Sequence, residues 1–439
     1  MTYPHDIHRR DVKNPMTVLK SPRVKDRASS SDLYGVSHEV RRIIDWVVLH
    51  GDRAVLEGSR LHDRSSRDSI LVPVEELQRA HRSMDPELLE AVRYAASNVE
   101  TFAQRQKGAL MPLEESEVRD GVYLGHRVVP VDSCGIYIPG GSYPLISTAV
   151  MLAVPARVAG VGRICACTPV RRGTDSPDPS VLGTLYELGV TEVYAAGGAY
   201  AVAAMAHGTE SIPPVDVIVG PGNKYVTEAK RQCFGKVGID FVAGPSEVLI
   251  IAQEGDPDFI AWDLLAQAEH DPDAKGVLVT TSPALARQVM DRVETILGEI
   301  ATSPVARSSW EDHGEVLAAE GMDEAVEFSN RMAPEHLELM VQDPDRWIPR
   351  LRNYGALFIG EHSAEVFGDY ASGSNHTLPT AGASRYTGGL WVGTFLKVLT
   401  SQRVTREGAR ELARVSALLA QAEGLMAHRG AALARSRKG

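Results

Sequence analysis

The stretch "EVYAAGGAYAVAAMAHG", residues 192–208, decides the fold. A short apolar run meets two glycines and then an alanine-rich segment of helical composition. The same grammar precedes it, where "RICACTPV" (163–170) leads on to "SVLGTLYELG" (180–189), and follows it, where "VDVIVGPG" (215–222) leads to "NKYVTEAKRQCFG" (223–235). Short apolar strands alternating with helices imply a parallel sheet with helices packed on it. A second set of the same kind comprises "EVLIIAQ" (247–253), a helix ending in "LLAQAEHDPDA" (264–274), "GVLVTTS" (276–282), "PALARQVMDRVETIL" (283–297) and "GALFIG" (355–360). The chain is therefore read as α/β, built from two such units.

Working outward, residues 1–32 are polar and rich in Arg, Lys and Ser, and read as an arm that is disordered or draped over a partner. From Ser37 the pattern is helical, with Val40, Ile43, Ile44 and Val47 at i, i+3, i+4, i+7. Helices follow at 73–84 and 85–106, the latter with Asp85 as N-cap and Pro86 in its first turn. Residues 118–141 read as paired strands around an Asp120-Gly121 turn. From about Arg385 the chain turns strand-poor and ends in one long amphipathic helix, 405–430, with Gly430 at its C′ position. The expected boundaries are an arm over 1–32, a first domain over 33–136 and 246–390, a second over 137–245, and a C-terminal helical segment over 391–439. The N-terminal helices are thereby expected to pack on the later α/β unit.

The 439 residues carry 44% hydrophobic and 23% charged side chains, the balance of a folded globular protein. A formal charge of −11 argues against a general nucleic-acid binder. No run of about 18 apolar residues exists to span a membrane, and the N-terminus has no apolar core of a secretory signal. The four cysteines show no CxxC spacing; Cys165 and Cys167 lie in an apparent buried strand, and Cys134 lacks a cationic neighbour to activate it. A cytoplasmic α/β protein with reduced thiols is expected.

Several clusters carry chemistry. Gln267 and His270 stand three apart near the end of a helix starting at Asp256-Pro257, so they share a face and can grip one ion. Taken alone, a histidine near a helix C-terminus beside an ordinary surface glutamine is the simpler account. In "MAPEHLEL" (332–339), Pro334 suits N1 of a short helix, which places Glu335 and His336 in its first turn. Histidine suits proton abstraction near neutrality and glutamate can activate water; a dipole-favoured Glu beside an incidental His explains the pair equally well. In "FGDYASGSNHTLPT" (367–380), Asp369 and His376 sit in a small-residue loop just after an apolar strand, where α/β folds place ligand groups. Glu423 and His428, five apart near the C-terminus, do not share a helical face and read locally as surface polarity. The turns at 139–141, 197–198 and 220–223 lack the G-x-G-x-x-G spacing, so topology favours a nucleotide site more than motif does.

Together these segments resemble the histidinol dehydrogenase family from roughly Ser37 to His428. The matching stretches are "GIYIPGGSYPLISTAVMLAVPARVAGV", "GPGNKYVTEAKR", "GIDFVAGPSEVLI", "DLLAQAEHDPD", "APEHLEL", "GDYASGSNHTLPT" and "AEGLMAH". The resemblance implies two Rossmann-like domains and a homodimer whose C-terminal helical segments are exchanged. It implies one Zn2+ per subunit held by Gln267, His270, Asp369 and His428, with NAD as the second cofactor. Glu335 and His336 match the family's catalytic pair. Ser246, His376 and Glu423 match substrate contacts, as do Gln267, His270, His336, Asp369 and His428. Tyr137 and Asn223 match nucleotide contacts. Glu423 and His428 would complete the neighbouring subunit's site. The implied reaction takes a primary alcohol, L-histidinol, through an aldehyde to the acid in two hydride transfers, a step of histidine biosynthesis.

Two departures stand out. Tyr200 occupies a position where the family usually has a glutamine that contacts the dinucleotide. The segment 384–410 looks more like a side branch that includes the sulfopropanediol dehydrogenases, which makes 2,3-dihydroxypropane-1-sulfonate the alternative substrate. Against that, Ser147 in the intact "PGGSYPLIST" favours histidinol. A zinc hydrolase using Glu335 and a catalytically silent binding protein are the readings from other classes. The two α/β units argue against the hydrolase, and the full set of matched positions argues against the silent protein.

Overall fold

The computed structural model describes residues 16–23, 30–140, 143–242 and 244–437. Among these the strands are β1 (Thr17–Lys20), β2 (Leu113–Arg119), β3 (Val122–Pro130), β4 (Ser133–Tyr137), β5 (Arg163–Thr168), β6 (Glu192–Ala195) and β7 (Val217–Val219). They continue with β8 (Gly238–Ile239), β9 (Glu247–Ala252), β10 (Lys275–Thr280), β11 (Glu315–Ala318), β12 (His336–Met340), β13 (Ala356–Ile359) and β14 (Leu396–Val404).

The repeating strand–turn–helix grammar builds two parallel sheets. The first has the order β6-β5-β4-β7-β8 and the second β1-β11-β10-β9-β12-β13. Every pairing within them is parallel except that of β1 with β11. In each sheet the chain lays down strands to one side of a central strand and then switches to the other. The switch points fall between β4 and β7 and between β9 and β12, where open α/β sheets form their crevices. Strands covered by helices on both faces read as continuous apolar runs, as "RICACT" and "EVLIIA" do.

Helix starts follow their signals. Asp85 caps helix Pro86–Gly108 by accepting from the amides of Glu87 and Leu88, and Asp256 caps helix Pro257–Ala268 by accepting from that of Asp258.

The N-terminal helices do not pack where the sequence suggested. Helix Ser30–His50 presents Val40, Ile44 and Val47 to the alanine-rich helix Gly198–His207, within one buried cluster. Helix Val74–Arg82 lies on Pro179–Glu187, and Pro86–Gly108 on Ile146–Ala159. The helices of residues 33–108 thus clothe the five-stranded sheet instead of joining 246–390, while β4 is a strand of that sheet and β2 and β3 pair with β14. The apolar stripe of each helix was legible, but its complement is a surface of small residues that only the folded unit displays.

The ends also differ from expectation. Within the arm, Thr17–Lys20 is an edge strand, and the Lys20 ammonium donates to the carbonyls of Trp310 and Gly314 at 2.6 Å each; residues 1–15 and 24–29 lie outside the described residues, as does Gly141 of the 139–141 turn. The region after Arg385 is not strand-poor: β14 pairs with β3 along its whole length, with β2 on the far side of β3. The Asp120-Gly121 turn between β2 and β3 is as expected, with Gly121 at φ +70°. The long terminal helix is two helices, Arg406–Ala422 and Met426–Arg437. Gly424 at φ +77° breaks it, and Gly430 lies inside the second helix. No described helix is long and apolar enough to cross a membrane.

Phe395 ties this C-terminal region to the first unit. Its ring is fully buried in the same cluster as Leu390, Val392 and Leu152, and its carbonyl accepts from the Val131 amide at 2.9 Å. Phe395→Ala should lower unfolding stability by about 3–5 kcal/mol, read as a shift in the urea midpoint; a loss under about 1 kcal/mol would show that the site collapses to fill the cavity.

Candidate active site

His336 opens β12 and stands in register with Val248 of β9 and Ala356 of β13. It therefore lies at the amino edge of the six-stranded sheet, next to the β9/β12 switch point. The expected helix beginning at Pro334 does not form. Helix Met322–Met332 closes on Ala333 in the left-handed conformation (φ 54°, ψ 62°), and Pro334-Glu335 lead directly into a strand. Two-residue alternation then decides the faces: Leu337 and Leu339 join the apolar cluster of one side, while His336 and Glu338 turn to the other.

That other face is covered by helix Pro257–Ala268, which carries Asp263 and Gln267 four residues apart. Beside it runs helix Glu365–Tyr370, carrying Glu365 and Asp369 at the same spacing. Asp369 is thus on a helix that returns toward the amino edge, not in the loop expected after β13. His376 does lie in the loop. His336 gathers this set: its Nδ1 is 3.3 Å from the Glu247 carbonyl and 3.4 Å from Glu365 Oε1, and its Nε2 is 3.6 Å from Asp369 Oδ1. Two acceptors at Nδ1 place the proton there and leave Nε2, which has no hydrogen-bond partner, facing the cluster. Glu335 Oε2 accepts from the Glu247 amide at 2.9 Å and is 3.8 Å from the imidazole.

Gln267 is 0% exposed, and neither its amide oxygen nor its amide nitrogen has a partner. A buried primary amide left unpaired costs about 1–3 kcal/mol, so this is not the surface glutamine of the simpler reading. His270 follows the helix two residues beyond its end and is exposed in the single chain. His376 Nδ1 donates to the Asp369 carbonyl at 2.8 Å, and the Thr148 hydroxyl lies 3.3 Å from its Nε2. Thr148 belongs to helix Ile146–Ala159, which follows β4, so this contact joins the two units, as does the bond from Asn375 Nδ2 to the Met151 carbonyl at 2.7 Å. Ser246 immediately precedes β9 and accepts the Lys275 amide on its carbonyl at 2.9 Å.

Burial dominates the electrostatics. It pushes the Glu335 carboxyl up to about 8 against the pull of His336, and the Glu247 carboxyl up to about 7 against Lys275. Burial alone would depress His336, but Glu365, Glu335 and Asp369 together raise it well above the usual imidazole range. Burial would likewise raise Asp369; the charges of His336, His376 and His270 hold it below the ordinary carboxylate value. Glu338 and Glu365 are buried beside one another and Asp263, and burial raises all three. These three, with Glu247 and Thr148, were missed in the sequence. The available signal was a carboxylate set inside or opening an apolar run, as in "SEVLII" and "HLELM".

The remaining positions lie elsewhere. Tyr137 ends β4, and its buried hydroxyl, pushed up to about 12 by burial, accepts from the Gly198 amide at 3.0 Å. Asn223 caps helix Lys224–Cys233 by accepting from the amides of Tyr225 and Val226 at 3.0 and 3.2 Å. The Tyr200 ring packs onto helix Asp52–Asp63: a Cβ on Gly58 would fall 2.8 Å from it, and the His62 ring centroid is 6.0 Å away. Glu423 and His428 are both exposed at the C-terminal helices, and neither enters the buried cluster within one chain.

A pH dependence follows. Glutamates of the unfolded chain ionise near 4.5, whereas Glu247 and Glu335 hold protons to about 7 and 8. Between those values the unfolded chain binds fewer protons, so stability falls as pH rises. The raised His336 acts in the same direction, since it contributes most below 6.5 and loses that contribution as pH rises through its folded value. The metal-free protein should therefore show a urea midpoint that declines from about pH 5 to about pH 8; a midpoint climbing across that window would contradict the assigned burial of charge.

Comparison with known proteins places this geometry. A sequence profile described as histidinol dehydrogenase matches residues 26–436. The chain is 47% identical over 399 residues to a histidinol dehydrogenase of Methanothermobacter thermautotrophicus, covering 90% of this chain and 92% of that one. It is 40% identical over 416 residues to a histidinol dehydrogenase homolog of Shouchella clausii, covering 94% and 97%. A crystal structure of histidinol dehydrogenase from Elizabethkingia anophelis superposes with a TM-score of 0.86 at 34% identity, covering 93% of this chain and 96% of that one. A matching profile over most of the chain, extensive identity and a shared fold agree that this chain belongs to the histidinol dehydrogenase family.

Proposed function

We propose that the chain oxidises L-histidinol to histidine, through the aldehyde, in two NAD-dependent hydride transfers, as a zinc-bearing cytoplasmic homodimer of histidine biosynthesis. The observation that carries this reading is the buried pair Glu335 and His336 together with the buried, unpartnered amide of Gln267 on the helix that covers that face of the sheet. The names of the relatives favour histidinol over the sulfonated diol, and membership in a dehydrogenase family removes the support for a hydrolase or a silent binder.

The donors fit a divalent ion. Gln267 lacks any partner, Asp369 is kept anionic, and His270 is close enough to lower the Asp369 carboxyl. Ligand atoms of His336, Glu365 and Asp369 also lie within 4.8 Å of one another. His336 is already committed through Nδ1 to the Glu247 carbonyl and Glu365, so the set Gln267, His270 and Asp369, completed by the partner's C-terminal His428, leaves it available for chemistry. Bound zinc would supply a fixed electrophilic anchor for the substrate's amine and imidazole, orienting the carbinol carbon. NAD, held near Tyr137 and Asn223 with Tyr200 at the margin, would accept the hydrides.

The chain's own residues then divide the proton work. His336, its Nδ1–H held by the Glu247 carbonyl and Glu365, takes the alcohol proton at Nε2 as hydride leaves the carbinol carbon, and the surrounding carboxylates stabilise the imidazolium that results. Glu335, poised at about 8, is a base matched to neutral solution; it removes a proton from water attacking the aldehyde before the second hydride leaves. Each oxidation releases one proton and one NADH, and water supplies the second oxygen of the acid. Ser246, His376 and the partner's Glu423 would line the substrate.

NADH formation should accompany L-histidinol and cease when a chelator strips the metal. His336→Asn should lower kcat roughly 10²–10⁴-fold with zinc content unchanged; turnover of the sulfonated diol but not of histidinol would sink the substrate assignment. Exchange of C-terminal arms has its own signature. When inactive Glu335→Gln and His428→Ala subunits are mixed equally, half the dimers are hybrids, each with one site free of both changes. About a quarter of the unmodified activity should return, whereas sites built within one chain would recover none.

A further inference from the structure

Lys230 and Asp240 are buried charges outside the cluster around His336, with side chains 3% and 0% exposed. Lys230 lies on helix Lys224–Cys233, and Asp240 immediately follows β8. Their charged atoms are in direct contact, and both reach the same backbone residue. The Lys230 ammonium donates to the Gly220 carbonyl at 2.8 Å, while Asp240 Oδ2 accepts from the Gly220 amide at 2.8 Å. The Lys230 ammonium also lies 5.6 Å from the Phe241 ring centroid, a cation–π contact.

Gly220 is the residue where β7 ends and the turn 220–223 begins. Its φ is +126°, and a Cβ there would fall 2.2 Å from the Tyr137 carbonyl oxygen. Tyr137 ends β4, so Gly220 marks the place where β4 and β7 diverge, the switch point of the five-stranded sheet. Two residues beyond the strand and its proline comes Asn223, the cap of helix Lys224–Cys233.

An ion pair buried this deeply is a weak source of stability, because desolvation offsets most of the attraction. Its use is geometric. One glycine residue is gripped at both its amide and its carbonyl by elements outside the turn, which fixes the turn's height above the sheet and the direction of the following helix. We propose that Lys230 and Asp240 are positioning residues that clamp the Gly220 turn as the seat of the dinucleotide. The clamp rests on the NAD reading above and adds residues that touch neither cofactor nor substrate.

The test is calorimetric titration of NAD into the full-length dimer carrying Lys230→Met with Asp240→Leu, a pair of changes that strands no lone buried charge. The variant should keep its dimer size and melt cooperatively. Its Kd for NAD should rise roughly 10- to 100-fold, KM for NAD should rise in step, and kcat should fall far less. Amide exchange over residues 220–226 should quicken. A folded variant with wild-type NAD affinity overturns the clamp. If that variant does not fold, Lys230→Gln with Asp240→Asn, which removes both charges and keeps polar groups in place, provides the same reading: weakened NAD binding supports the clamp and unchanged binding overturns it. Absence of NAD binding by the unaltered protein would instead overturn the cofactor reading, and the clamp's purpose with it.

Discussion

The site depends on mutual neutralisation of buried charge at the amino edge of β9 and β12. An imidazole removed from water should lose its proton, and carboxyls removed from water should keep theirs. His336 escapes the first outcome because Glu365, Glu335 and Asp369 surround it, and Asp369 escapes the second because His336, His376 and His270 face it. Each group's state is thus a property of the others. Such an arrangement stores reactivity at the expense of stability, since unpaired oxygens of Glu338 and Glu365 remain among the buried atoms. It persists because rigid elements impose it: one parallel strand and two helices, each delivering two polar side chains at its own period.

The position of the cluster is unusual for an open α/β sheet, whose crevices generally lie outside the carboxyl ends. Here the helices do the delivering. Helix Pro257–Ala268 runs back from the carboxyl end of β9, so its last turn, with Gln267, arrives at the amino edge; helix Glu365–Tyr370 returns from β13 in the same sense. The first unit keeps the ordinary rule, with Tyr137, Gly198 and Gly220 at the carboxyl ends of its strands or just beyond. The Thr148–His376 contact brings the helix after β4 against the amino edge of the second sheet. One unit thereby presents the carboxyl end of its sheet to the amino edge of the other.

Much of this was legible in the residues. Strand–glycine–helix repeats, the caps at Asp85 and Asp256, and the Asp120-Gly121 turn are local features with local causes, and they fold as read. What escaped has a non-local cause. Pro334 suits a helix start, yet Ala333 in the left-handed region and two parallel neighbours make "HLELM" a strand. Residues 396–404 alternate weakly and bury little, so nothing but their ladder with β3 marks them as β14. Gly424 was legible as a breaker only against the pull of a continuous amphipathic pattern on either side. Gln267 was the opposite case: the resemblance supplied an expected role, while its local sequence favoured a surface glutamine and its burial excludes one.

The C-terminal region carries the last step of the argument. Phe395 and the β14–β3 ladder hold it firmly, but it then turns apolar surface outward: Val398, Leu399, Leu418 and Leu419 are each at least 44% exposed. Helix Arg406–Ala422 uses small residues, Ala413, Ala417 and Ala420, for its buried stripe, so Leu418 and Leu419 face away from its own chain. A segment that is rigidly anchored at its base and apolar along its outer side is built to be covered. Glu423 and His428 sit at the far end of that segment, and the cluster at Gln267 and Asp369 lacks a donor from its own C-terminus. A second copy of the chain would satisfy both needs with one contact, covering the leucines and delivering an imidazole to the unpaired amide. On the proposed reading of a zinc-bearing dimer, that economy makes assembly and metal binding fail together when the apolar face is made polar, even though none of its leucines is a proposed metal ligand.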